Sequence, residues 1–143
     1  METMDDTDRK ILSLLRDNAR LPVSAMAKKL GVSRGTVQNR IAKLEGTGEI
    51  VGYTVRLKPG AEARRIRALT TIEVKGNESK AVLETLRGDP NVQALHTTNG
   101  RWDMVLQLQA DSLEAFDDVL ARIRLIRGIA SSETSILLST HKL

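Results

Sequence analysis

Ala27-Lys28-Lys29-Leu30-Gly31-Val32-Ser33-Arg34-Gly35-Thr36-Val37-Gln38-Asn39-Arg40-Ile41-Ala42-Lys43-Leu44-Glu45 is the stretch on which the reading of this 143-residue chain turns. Gly31 is placed to end one helix, because a residue without Cβ enters the left-handed conformation of a tight turn at no steric cost. Ser33 is placed to cap the next, predicted over 34–45, where its hydroxyl can accept an N–H of the first turn. Val37, Ile41 and Leu44 recur there at i, i+4, i+7 and form an inward stripe. Gly35, Thr36, Gln38, Asn39 and Lys43 fall on the opposite arc, with Arg34 and Arg40 on its flanks and no acid before Glu45. Two helices joined by so short a turn make a helix-turn-helix. Its second helix fits the major groove of double-stranded DNA, where Arg reads guanine and Asn or Gln reads adenine. Such a face can also be ordinary solvated surface. The preceding helix, the glycine turn, the serine cap and the charge distribution together favour DNA, with Ser33, Arg34, Thr36, Gln38, Asn39, Arg40 and Lys43 as candidate contacts.

Upstream, residues 6–18 carry Ile11, Leu12, Leu14, Leu15 and Ala19 at core-facing spacing, with Asp5 as N-cap and Asp8 set against the helix dipole. Residues 18–22 break that helix, and a short one over 23–30 turns Met26, Ala27 and Leu30 inward. Downstream, Gly46-Thr47-Gly48 stops the recognition helix. Residues 50–57 alternate like a strand, which would make the module winged, and Lys58-Pro59-Gly60 marks a linker. The expected boundary places a DNA-binding domain at 1–60 and a second domain at 61–143.

The second domain changes character. A strand is predicted at 68–75, a helix at 78–88, a hairpin of strands 92–98 and 102–110 around Asn99-Gly100-Arg101, a helix at 112–126 and a last strand at 129–139. The helix at 112–126 is expected to bury Leu113, Phe116, Val119, Leu120 and Ile123. The order βαββαβ is ferredoxin-like, so the fold class is α+β. Trp102, Met104, Leu106 and Leu108 share one face of their strand and are expected in a core or dimer interface.

Charge divides the same way. Residues 1–60 hold eleven Lys and Arg against seven Asp and Glu, whereas 61–143 hold eleven of each, so the whole net charge of +4 lies in the first domain. Only that domain is expected to meet a polyanion. The hydrophobic fraction of 41% suits a folded chain, and no apolar run nears the roughly 18 residues of a membrane span. Residues 1–6 have no basic or apolar region of a signal peptide, and there is no Cys, so a cytoplasmic protein is expected. His96 and His141 are isolated, and neither metal-ligand spacing nor a catalytic motif occurs; no metal, no cofactor and no enzyme activity are expected.

Asp5-Asp6-Thr7-Asp8-Arg9-Lys10-Ile11-Leu12, the segments 27–33 and 37–45, and Gly48-Glu49-Ile50-Val51-Gly52-Tyr53 resemble the DNA-binding half of the Lrp/AsnC family. Gly100-Arg101-Trp102-Asp103 resembles the Gly-x-aromatic-Asp hairpin of that family's C-terminal domain, and Ser132-Glu133-Thr134 its Thr-x-Thr. Pro22, Trp102 and Ser132 depart from the usual residues. The resemblance implies a transcription regulator whose C-terminal domains pair through their sheets into homodimers, assemble further into tetramers or octamers, and bind an amino acid or related metabolite between subunits. Gly100, Arg101, Trp102, Asp103, Ser132 and Thr134 are the effector candidates it implies. Physically, Gly100 could offer N–H groups to a carboxylate and Asp103 an acceptor to an ammonium. The same residues could simply build a good turn. An architectural DNA binder of this fold with no effector is the alternative reading.

Overall fold

The structure, a computed structural model, describes residues 3–58, 60–61 and 65–142. Met1, Glu2 and the linker's Pro59 lie outside the described residues. The chain divides into two compact units, Met1–Arg56 and Leu57–Leu143.

The first unit holds α1 (Asp6–Asp17), α2 (Val23–Leu30) and α3 (Arg34–Gly46). Local chemistry sets every boundary. Asp5 caps α1 by accepting from the Asp8 N–H at 2.9 Å, and the Asp8 carboxylate answers to the Asp5 N–H at 3.2 Å, a reciprocal capping box. Pro22 opens α2 with no side-chain cap. Gly31 ends it at φ +67°, where a Cβ would be strained, and the Ser33 hydroxyl accepts from the Thr36 N–H at 3.1 Å to start α3. Ile11, Met26, Ala27 and Val37 are buried together, with Leu14, Leu15, Leu30 and Ile41 packed around them. Ala19, expected inward, is exposed because α1 has already ended at Asp17.

The strand expected at 50–57 does not form. These residues join no β-ladder among the described residues, and Val51 and Val55 are 98% and 80% exposed. Alternation marks which side chains would share a face. A strand also needs a neighbouring strand for its N–H and C=O groups, and this stretch has no pairing strand among the described residues.

The second unit runs β1 (Ile66–Val74), α4 (Ser79–Arg87), β2 (Val92–Thr97), β3 (Met104–Ala110), α5 (Leu113–Arg124) and β4 (Ile129–Ile136). The sheet order is β2-β3-β1-β4, antiparallel throughout, which is the ferredoxin-like topology. One face is the core. Ala68, Thr70 and Ile72 of β1 and Met104, Leu106, Leu108 and Ala110 of β3 are buried against Val82 and Leu86 of α4 and Phe116, Val119 and Ile123 of α5. Leu113 is 65% exposed, because it sits in the first turn of α5 at the edge of the inward arc. Gly128, at φ +103°, brings the start of β4 so close to α4 that a Cβ there would lie 2.7 Å from the Glu78 Cβ. The other face, carrying Leu69, Thr71, Glu73, Val105, Gln107, Glu133 and Ser135, is covered by neither α4 nor α5, and Leu69 is 42% exposed.

Five strand ends differ from expectation, two of them, the ends of β1 at Val74 and of β2 at Thr97, by a single residue. β1 begins two residues earlier. β4 stops at Ile136, with one further bond from the Leu137 N–H to the Arg67 carbonyl at 2.8 Å. β3 begins at Met104, so Trp102 is not a strand residue and the stripe continues with Ala110 instead. The expected three-residue turn is a longer connection over 98–103. The Thr98 N–H donates to the Asp103 carbonyl at 3.0 Å, and the Thr98 hydroxyl donates to the Trp102 carbonyl.

Candidate functional site

All seven candidate DNA residues lie on α3 or at its cap. Arg34, Gln38, Asn39 and Lys43 are exposed, while Val37 and Leu44 anchor the opposite side in the core. The helix is thus fixed on one face and free to enter a groove on the other. Ser33 and Thr36 serve the cap, their hydroxyls 2.8 Å apart. Arg40 is placed differently. Its Nη1 donates to Asp5 and, at 3.3 Å, to Asp8, so the guanidinium joins α3 to the start of α1. The Arg40 hydrogen bond is the main cause holding the Asp5 carboxyl at about 2, below its ordinary 3.8, and the same pairing raises Arg40. Neither partner was legible in the sequence, since 35 and 32 positions separate Arg40 from Asp5 and Asp8. The one local signal was Asp at both ends of a capping box.

The effector candidates are held by the sheet. The Asp103 N–H donates to the Ile72 carbonyl at 2.9 Å, and Asp103 Oδ2 accepts from the Val74 N–H at 2.7 Å, so this residue extends the β1–β3 ladder beyond Met104. Asp103 Oδ1 makes no hydrogen bond among the described residues. Gly100 is not in the left-handed region, and its N–H is held by Thr98 Oγ1 at 3.2 Å. Arg101 lies over the Trp102 ring at 5.1 Å. On β4, Ser132 pairs with Ile72, and the Thr134 hydroxyl meets that of Thr70 at 2.8 Å. Within one chain, β1 therefore lies between the hairpin group and the β4 group. Thr70 and Val74 are partners that sequence reasoning missed because they join the site only through sheet register, and Thr98, also missed, joins it through local hydrogen bonds to Gly100, Trp102 and Asp103.

Among the described residues no cluster of His, Cys, Asp or Glu could hold a metal ion, and no helix is long and apolar enough to cross a membrane.

A helix-turn-helix with its recognition face open, on a chain that also carries a separate ferredoxin-like unit, defines a class of DNA-binding regulator with an appended sensory domain. Residues 4–45 match the AsnC-type helix-turn-helix domain and residues 67–143 the Lrp/AsnC ligand binding domain. The chain belongs to the Lrp/AsnC family of transcriptional regulators, which are not enzymes. An HTH-type transcriptional regulator of Pyrococcus furiosus is 32% identical over 97% of this chain and 94% of its own length. Among solved structures, AsnC of E. coli superposes with a TM-score of 0.82 at 28% identity, over 99% of this chain and 97% of that one. A transcriptional regulator of Neisseria meningitidis, solved as a complex with L-Met, superposes with a TM-score of 0.80 at 25% identity, over 99% and 94%.

Proposed function

We propose that this chain is a cytoplasmic, sequence-specific regulator that binds double-stranded DNA through α3 as a homodimer and responds to an amino acid. The exposed, acid-free face of α3 from Arg34 to Lys43 is the observation that carries the DNA part. The uncovered face of the sheet supports the dimer, because a four-stranded sheet with helices on one side is completed by a twin on the other. Two-fold pairing would present two recognition helices and call for a pseudo-palindromic operator. The unengaged Oδ1 of Asp103 supports the effector, as an acceptor for the ammonium of an amino acid. Ser132 and Thr134 lie across β1 from Asp103, so a neighbouring subunit would supply the other side of the pocket.

Affinity for a duplex, measured across salt concentrations, tests the DNA part. The slope of log K against log salt should be about −0.9 for each phosphate neutralised. A flat dependence removes α3 as the contact. Calorimetry against the common amino acids tests the sensor. The hairpin's inward hydrogen bonds, Gly100 to Thr98 and Asp103 to Val74, favour the second reading, an architectural DNA binder without effector. Binding of no amino acid would establish it.

A further inference from the structure

Arg40 occupies the middle of the recognition helix, the position from which an arginine would ordinarily be credited with reading guanine or gripping a phosphate. Its Nη1 is instead engaged by two carboxylates. Each carboxylate of the α1 capping box divides its oxygens between backbone and Arg40. Asp5 Oδ1 takes the Asp8 N–H and Oδ2 takes Arg40; Asp8 Oδ2 takes the Asp5 N–H and Oδ1 takes Arg40. Asp8 is buried. To swing its guanidinium out towards DNA, Arg40 would have to abandon two carboxylates, one of them out of water, and a buried charge stripped of its partner is strongly disfavoured. On the exposed arc just before Arg40, the side chains of Gln38 and Asn39 make no hydrogen bond among the described residues. A primary amide offers a donor and an acceptor side by side, the pattern that matches N7 and N6 of adenine. Arg34 stands at the first position of α3, beside the unpaired N–H groups of the helix start, where a phosphate is accommodated.

We infer that Arg40 is a positioning residue that locks α3 to α1, and that base reading falls to Gln38 and Asn39, directed at adenine in the major groove. The inference rests on the proposed DNA-binding role of α3.

The test uses the full chain. Binding sites are selected from duplexes with randomised half-sites, and affinities are then measured across salt for the parent, Asn39→Ala, Arg40→Ala and the double variant Asp5→Asn/Asp8→Asn. Asn is as good an N-cap as Asp, so the double variant keeps the cap while removing the charges that hold Arg40. The selected half-sites should fix A·T pairs. Asn39→Ala should weaken the selected site by roughly five- to a hundredfold and leave scrambled duplex unchanged, as expected for the loss of one bidentate base contact. Arg40→Ala and the double variant should weaken the selected site alike, with the salt slope unchanged.

The opposite result has a different sign. If Arg40 grips DNA, freeing it from two anions should tighten binding in the double variant, and Arg40→Ala should shallow the slope by about 0.9. Either outcome, or a fixed guanine lost only with Arg40, overturns this inference while the proposed function stands. Salt-independent binding by the parent overturns both. Asn39 is exposed, so its variant reports even if the Arg40 variants fold poorly.

Discussion

Replacing Asp103 by alanine and by asparagine separates the role that the structure gives to this carboxylate from the role proposed for it. Oδ2 accepts from the Val74 N–H at 2.7 Å, while Oδ1 is the oxygen proposed to meet a ligand ammonium. Alanine removes both oxygens. The half-buried Val74 N–H then loses its acceptor, which costs about 1–3 kcal/mol. In a unit of this size each kcal/mol lowers the melting temperature by about 4–8 °C. Asparagine keeps a carbonyl oxygen for Val74 but loses the charge. A neutral acceptor is about half as strong as an ionised one, so the expected loss is under about 1.5 kcal/mol. An amino-acid ammonium loses its counter-charge in both variants, a cost of about 1.5–3 kcal/mol or roughly ten- to a hundredfold in affinity. Thermal melts without ligand rank stability, and calorimetry ranks affinity. The expected stability order is parent, Asp103→Asn, Asp103→Ala, with both variants binding weakly. An Asp103→Ala protein as stable as the parent would refute the staple to Val74. An Asp103→Asn protein that binds the amino acid as tightly as the parent would refute the ammonium contact.

Gly128→Ala should destabilise the second unit by about 2–4 kcal/mol, combining left-handed strain with a Cβ driven against Glu78 and Val82; an unchanged urea midpoint would show that β4 does not pass so close to α4. Acid should weaken the first unit in a defined window. Asp5 is lowered from 3.8 to about 2 by Arg40, so its stabilisation is complete above about pH 4 and fades as the pH falls towards 2. Melts of the parent and of Arg40→Ala between pH 5 and 2 should converge at the acid end, and curves that stay parallel would show that Asp5 is not paired to Arg40.

What was legible in the sequence was chemistry completed within a few residues. The Gly31 turn, the Ser33 cap and the Asp5 cap each bring donor and acceptor together across three or four positions, and all three stand as read. The βαββαβ order was equally accessible, because burial on one face imposes a period of two on β1 and β3. Residues 50–57 carry that same period and form no strand, since periodicity specifies which side chains share a face and says nothing of the neighbour that must complete the ladder. The sites were legible as residue types more than as geometry. Polar and basic residues on α3 pointed to DNA, yet whether a given cation faces outward depends on what the rest of the fold offers it. Arg34 meets no carboxylate among the described residues and stays exposed. Arg40, a turn and a half further on, meets two carboxylates that a capping box has already ordered. The capping box therefore does more than start α1, because it sets which side chains of the recognition helix remain available to a groove.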